Sequence, residues 1–126
     1  MKKFEIEITS KITVTAQDID DIMVAALEGG INYWCNEAEV VGDYLGEFAS
    51  DQISRGGVLK LYDAEEDEVY ELTLEKLLKG ITMAVDGRYF ADYDWCDGKT
   101  IDTCQIDADV ADAIVQLALF DDVIFG

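Results

Sequence analysis

The chain has 126 residues, 50% of them hydrophobic, which is enough for one α+β-sized domain with a buried core and too apolar for a disordered chain. Its 28 Asp and Glu against 9 Lys and Arg give a formal charge of −19 at pH 7. DNA, RNA and anionic lipid are engaged through Lys and Arg, so a body charged this way is repelled by all three and drawn to basic surfaces instead.

No apolar run approaches the length of a membrane span, and the alternating Phe4-Glu5-Ile6-Glu7-Ile8 lacks the continuous apolar stretch of a signal peptide. Cys35, Cys96 and Cys104 are odd in number and have no CxxC spacing. They suit a reducing cytoplasm and read as small core residues. There is no proline, no internal repeat and no low-complexity linker, so residues 1–126 read as a single acidic domain.

In chain order, Phe4, Ile6, Ile8, Ile12 and Val14 keep an even spacing, which predicts one long strand, or two strands about a turn near Ser10. Asp18 is expected to cap a helix with the buried stripe Ile19, Ile22, Met23, Ala26 and Leu27, and Gly29-Gly30 to end it in the left-handed conformation. Ile31 to Cys35 fits a short strand or an apolar turn, and Glu39-Val40-Val41-Gly42 fits a strand. From Tyr44 to Ser54 no period is evident, and Gly56-Gly57 closes that stretch. Val58, Leu59, Leu61 and Tyr62, then a run of acids, then Val69, Tyr70 and Leu72 predict a β-hairpin. Thr73 caps a helix with the stripe Leu74, Leu77, Leu78, Ile81 and Val85, stopped by Asp86-Gly87. Residues 88–104 mix aromatics and acids as a loop or irregular hairpin. Asp107 caps a last helix with Val110, Ala113, Ile114 and Leu117 inward and Asp109 and Asp112 toward solvent. Asp121 to Phe125 is expected as a short terminal strand. Hairpins without regular βα alternation predict an α+β fold, with about three helices on one face of an antiparallel sheet.

Chemistry is scarce. Without histidine the chain lacks the commonest general base and metal ligand, and Ser-His or Cys-His activation is excluded. The glycines match neither dinucleotide nor P-loop spacing. No cofactor and no catalytic residue is expected. Asp92, Asp94 and Asp97 begin like a calcium loop, but Cys96, Asp97 and Thr103 stand at its fifth, sixth and twelfth positions, where an acid or amide, glycine and glutamate are needed.

What remains is an acidic surface. The candidate partner-binding residues are the hairpin cluster Asp63, Glu65, Glu66, Asp67 and Glu68, joined by Asp92, Asp94 and Asp97. Gathered on one face, such carboxylates present a field like a phosphate backbone and attract the basic surface of a nucleic-acid-binding protein, most strongly at low salt. Two other readings stand beside it. One is an interaction module using an apolar patch around Tyr33, Trp34 and Tyr44, with the charge serving solubility. The other is a divalent-cation binder built on Asp92, Asp94 and Asp97.

The stretch from Asp18-Ile19-Asp20-Asp21 to Asn32-Tyr33-Trp34-Cys35 resembles small acidic proteins of bacterial phages and prophages. Gly42-Asp43-Tyr44-Leu45-Gly46-Glu47, Ser50 to Gly57 and Leu72-Thr73-Leu74-Glu75-Lys76 add to the likeness. The resemblance implies a phage setting in a host bacterial cytoplasm, where small acidic proteins inhibit restriction or CRISPR defences. It implies no activity and assigns no residue a role.

Overall fold

The first helix starts at Thr15, not at Asp18. In the computed structural model, which describes residues 2–4, 11–86 and 100–126, the Thr15 hydroxyl accepts the Asp18 amide and the Asp18 carboxylate accepts the Thr15 amide. This reciprocal capping box places Asp18 in the first turn rather than at the cap. Helix α1 spans Ala16–Ala25 and widens into a π-helical turn, Ala26–Gly30. Ile19, Ile22, Met23 and Ala26 are buried as expected. Gly29 and Gly30 are not left-handed. Gly30 instead permits close packing, since a Cβ there would lie 2.5 Å from the Ala108 carbonyl oxygen.

The sheet has three antiparallel strands in the order β1 (Cys35–Val40), β2 (Leu59–Asp63), β3 (Val69–Leu72). Register places Val40, Leu59 and Leu72 in one row and Ala38, Leu61 and Tyr70 in the next. These rows face the core, and Leu59, Leu61 and Leu72 are wholly buried. The alternate rows, Glu39–Lys60–Glu71 and Glu37–Tyr62–Val69, therefore point the other way, because side chains alternate along a strand. A bulge between Cys35 and Glu37 sets this parity.

Helix α2 spans Leu74–Asp86, and its first turn is capped by the Thr73 hydroxyl, which accepts the Lys76 amide. Leu77 and Ile81 are buried, Leu74 and Val85 are partly buried, and Leu78 departs from the expected stripe at 40% exposure. Leu78 lies instead on an open apolar groove with Ile12, Val14, Ile81 and Val85.

Helix α3, Ala108–Phe120, is the central element: every residue from Val110 to Ala118 is buried. A helix apolar nearly all round has no solvent face and must be enclosed. Helix α2 crosses it at Gly80, where a Cβ would collide with the Ile114 carbonyl oxygen. Asp107 caps α3 by accepting the Val110 amide at 2.9 Å. Its end is Asp121 in the left-handed region, φ 58°, a conformation short polar side chains tolerate.

The fold is α+β, as hairpins without regular βα alternation predict. Two expected strands differ. Residues 11–15 form no named strand, only an isolated parallel bridge between Thr13 and Thr100, and the rest of that expectation, residues 5–10, lies outside the described residues. Residues 121–125 are not a strand either. The Gln116 amide oxygen accepts the Ile124 and Phe125 amides at 2.8 Å each, and the Asp122 carboxylate accepts the Val123 amide at 2.8 Å. The tail follows a helix side chain, so it has no neighbouring strand to pair with.

Candidate protein-binding surface

The outward face of the sheet and the hairpin tip form one continuous acidic surface. Glu37, Glu39 and Glu71 project from the strands, and Glu65, Glu66, Asp67 and Glu68 extend it from the β2–β3 connection, all exposed. Lys60 stands between Glu39 and Glu71 in register and is the basic residue of this face. Rows on one face repeat every second residue, about 7 Å apart, so the carboxylates are spread along the strands rather than condensed at one point. Among the described residues the ion pair is Lys79–Asp121 at 2.6 Å, on other elements. The sheet-face acids are therefore without an ion-pair partner among those residues.

Asp63, which heads the sequence-derived cluster, is placed differently from its neighbours. It is only 8% exposed. One carboxylate oxygen accepts the Glu65 and Glu66 amides at 2.9 and 3.0 Å, and the other accepts the Tyr70 hydroxyl at 3.0 Å. The two amides, and after them the hydroxyl, hold the carboxyl below its ordinary range. Asp63 shapes the tip and is not free to meet a partner; Glu65 to Glu68 are. Asp92, Asp94 and Asp97 lie outside the described residues, so the surface is built without them. Among the described residues no cluster of carboxylates and thiols is arranged to hold a metal ion.

Tyr62 ties the face together. Its hydroxyl donates to Glu39 at 3.2 Å, and it is raised above its usual value by burial, by that hydrogen bond and by the charges of Glu39 and Glu37.

The proposed aromatic patch separates into one buried residue, Trp34, and two exposed ones, Tyr33 at 53% and Tyr44. Trp34 is buried and stacks on Phe125, ring centres 4.9 Å apart and planes 6° from parallel. Its indole N–H donates to Asp112 at 2.8 Å, as do the Tyr33 hydroxyl at 2.6 Å and the Gln116 amide at 2.9 Å. Asp112, expected toward solvent, is thus 8% exposed, and its carboxylate is enclosed by three donors because the Tyr33–Trp34 turn closes over α3. Burial, then the Asp112 bond and charge, push the Tyr33 hydroxyl up to about 12. Tyr44, in contrast, is 61% exposed.

Tyr44 belongs to a second feature that sequence reasoning missed. Val41, Tyr44, Leu45 and Phe48 are all exposed within the loop that leaves β1. The available signal was negative: from Tyr44 onward the apolar residues keep neither a helical nor a strand period, next to glycine and acids, whereas Val41 read as strand. Glu37 and Glu39 carried a plainer signal, the two-residue spacing that puts both on one strand face.

The cysteines also divide. Cys35 is buried, its thiol raised by desolvation, and it donates to the Glu37 carbonyl at 3.3 Å. Cys104 is exposed, contrary to the expected core position, because the Thr103–Gln105 turn caps itself through Asp102 and turns that side chain outward. No described helix is long and apolar enough to cross a membrane. Comparison with protein-family models, with characterised proteins and with solved structures finds no match for this chain.

Proposed function

We propose that this protein is a phage- or prophage-encoded acidic binding protein that inhibits a host nucleic-acid-handling defence protein of restriction or CRISPR type. It acts by binding rather than catalysis, in the host cytoplasm, and occupies the basic groove that otherwise holds nucleic acid. One observation carries the reading. Glu37, Glu39 and Glu71 on the outward sheet face and Glu65, Glu66, Asp67 and Glu68 at its tip are seven exposed acids, beside which the described residues place Lys60 and, donating to the Glu71 carbonyl at 2.7 Å, Lys76. Mutually repelling carboxylates are relieved by a cationic partner, and their summed field steers such a partner from a distance. The resemblance to phage and prophage proteins supports the setting.

The test is inhibition of DNA cleavage by a panel of purified restriction and RNA-guided nucleases. An inhibited enzyme is expected to escape by about tenfold or more as salt rises from about 50 to 200 mM, because exposed charges are screened over about 7 Å at the upper value. The combined variant Glu65→Gln, Glu66→Gln, Asp67→Asn, Glu68→Gln is expected to inhibit at least about tenfold less well. Inhibition that ignores salt, or that the variant retains in full, overturns the electrostatic reading.

A further inference from the structure

The loop after β1 is an apolar feature held in a fixed shape. The Val41 amide extends pairing by one step to the Val58 carbonyl at 3.0 Å, and Gly42, at φ 77°, turns the chain away from the sheet. Gln52, wholly buried, then organises residues 45–48. Its amide oxygen accepts the Leu45 amide at 2.7 Å, and its amide nitrogen donates to the Phe48 and Gly46 carbonyls at 2.7 and 3.3 Å. The Asp51 carboxylate accepts the Phe48 amide at 3.2 Å. The backbone polar groups are thus satisfied from inside, while Tyr44 and Phe48 remain 61% exposed each, Leu45 53% and Val41 42%. Apolar side chains in water gain nothing for the free chain, and rigid display lowers the entropic cost of inserting them into a partner.

Asp43 and Glu47 are exposed among these side chains, and this selects the occupant. A second copy of the chain would bring another −19 against the first, and an anionic lipid surface would meet the same repulsion. A protein with an apolar pocket rimmed by Lys and Arg satisfies both the aromatics and the acids.

We propose that Tyr44, Leu45 and Phe48 form a preorganised anchor that inserts into an apolar, basic-rimmed pocket on a protein partner. The proposal rests on the defence-inhibitor reading for the basic character of that partner and adds what the acidic face lacks, a short-range contact that fixes register. The anchor leaves the Val40–Leu59 end of the sheet and the acidic tip leaves the other, about 13 Å away along β2. A partner engaging both therefore meets charge and apolar contact at separate points.

The test uses the full chain and a displayed random peptide library, selected on immobilised wild-type protein at about 0.5 M salt, where exposed charges are largely screened. Selected peptides are expected to carry aromatic or aliphatic residues, and Lys or Arg beside them when the selection is repeated at about 0.05 M salt. They should bind Tyr44→Ser/Phe48→Ser about 30-fold or more weakly, the loss typical of two central aromatic contacts. Both side chains are exposed, so the variant should keep the wild-type circular dichroism and melting temperature. No enrichment, or equal binding to the variant, overturns the anchor. So does a wild-type dimer in sedimentation that the variant abolishes, or variant-sensitive binding to phosphatidylcholine vesicles. If the nuclease panel is negative while the peptide discrimination survives, the defence-inhibitor reading falls and the anchor stands. The converse removes the anchor alone.

Discussion

The hairpin tip and the 42–48 loop leave opposite ends of the same sheet, and each is shaped by one polar side chain turned inward. At the tip Asp63 gathers two backbone amides and the Tyr70 hydroxyl. In the loop Gln52 gathers one amide and two carbonyls. The tip then displays Glu65 to Glu68, and the loop displays Tyr44, Leu45 and Phe48. One organiser is ionisable and sits beneath long-range charge; the other is neutral and sits beneath short-range apolar surface. The organiser of the tip is therefore tied to pH, and that of the loop, a neutral amide, is not. Shape and display are separable in both, since the side chains that form each feature are different from those that face solvent.

The largest break in that comparison should come from Gln52→Ala. It leaves the Leu45 amide and the Phe48 carbonyl without their internal partner and opens a cavity, for a loss of about 2–3 kcal/mol in urea unfolding, with faster exchange at the Leu45 amide. Tyr44→Ser, on the displayed side of the same loop, should move stability by no more than about 0.5 kcal/mol. Equal losses would mean that display and shape are not separate.

Asp63→Asn sharpens the contrast through pH. The folded state holds this carboxyl below its ordinary value, so its stabilisation is whole above the unfolded value near about 4 and is lost as pH falls through the lower folded value. Urea midpoints measured from neutral pH into that acid window should fall less steeply for the Asn variant than for the wild type. Gln52 adds no slope in that window, because its amide does not titrate.

A smaller effect appears at the alkaline end. Burial, with the Asp63 bond and charge behind it, pushes the Tyr70 hydroxyl up to about 12, and burial with Asp112 does the same for Tyr33. Both are raised above an ordinary value near about 10. Their contribution is thus complete below that value and is lost as pH rises from about 10 to about 12. Ultraviolet titration should show late-ionising tyrosines, and Tyr70→Phe and Tyr33→Phe should each remove one of them. Ionisation of all tyrosines near 10 would contradict the geometry around Asp63 and Asp112.

Much of this architecture was legible in the chain. The stripe Ile19, Ile22, Met23, Ala26, the hairpin from Leu59 to Leu72, the Asp107 cap and the inward face of α3 follow from period and capping chemistry, which are local and leave a trace in neighbouring residues. The acidic character of the surface follows from composition alone. Which acids lie on that surface did not. Asp63 and Asp112 look like their exposed neighbours in sequence, and only the approach of Tyr70 to one and of the Tyr33–Trp34 turn to the other converts them to internal acceptors. Glu37, Glu39 and Glu71 become one face through two strand pairings, β1 with β2 and β2 with β3, a relation set by register. The 42–48 loop is the same lesson reversed. Its missing period showed that no helix or strand face claims those apolar residues, but their exposure depends on Gln52 reaching back to hold the backbone, a contact that only the folded chain can make. Sequence by itself determined the helices, the hairpin and the sign of the charge, because these are sums over local residues. The tertiary structure decided which polar groups are spent inside and which remain for a partner, because hydrogen-bond partners distant in sequence compete for them.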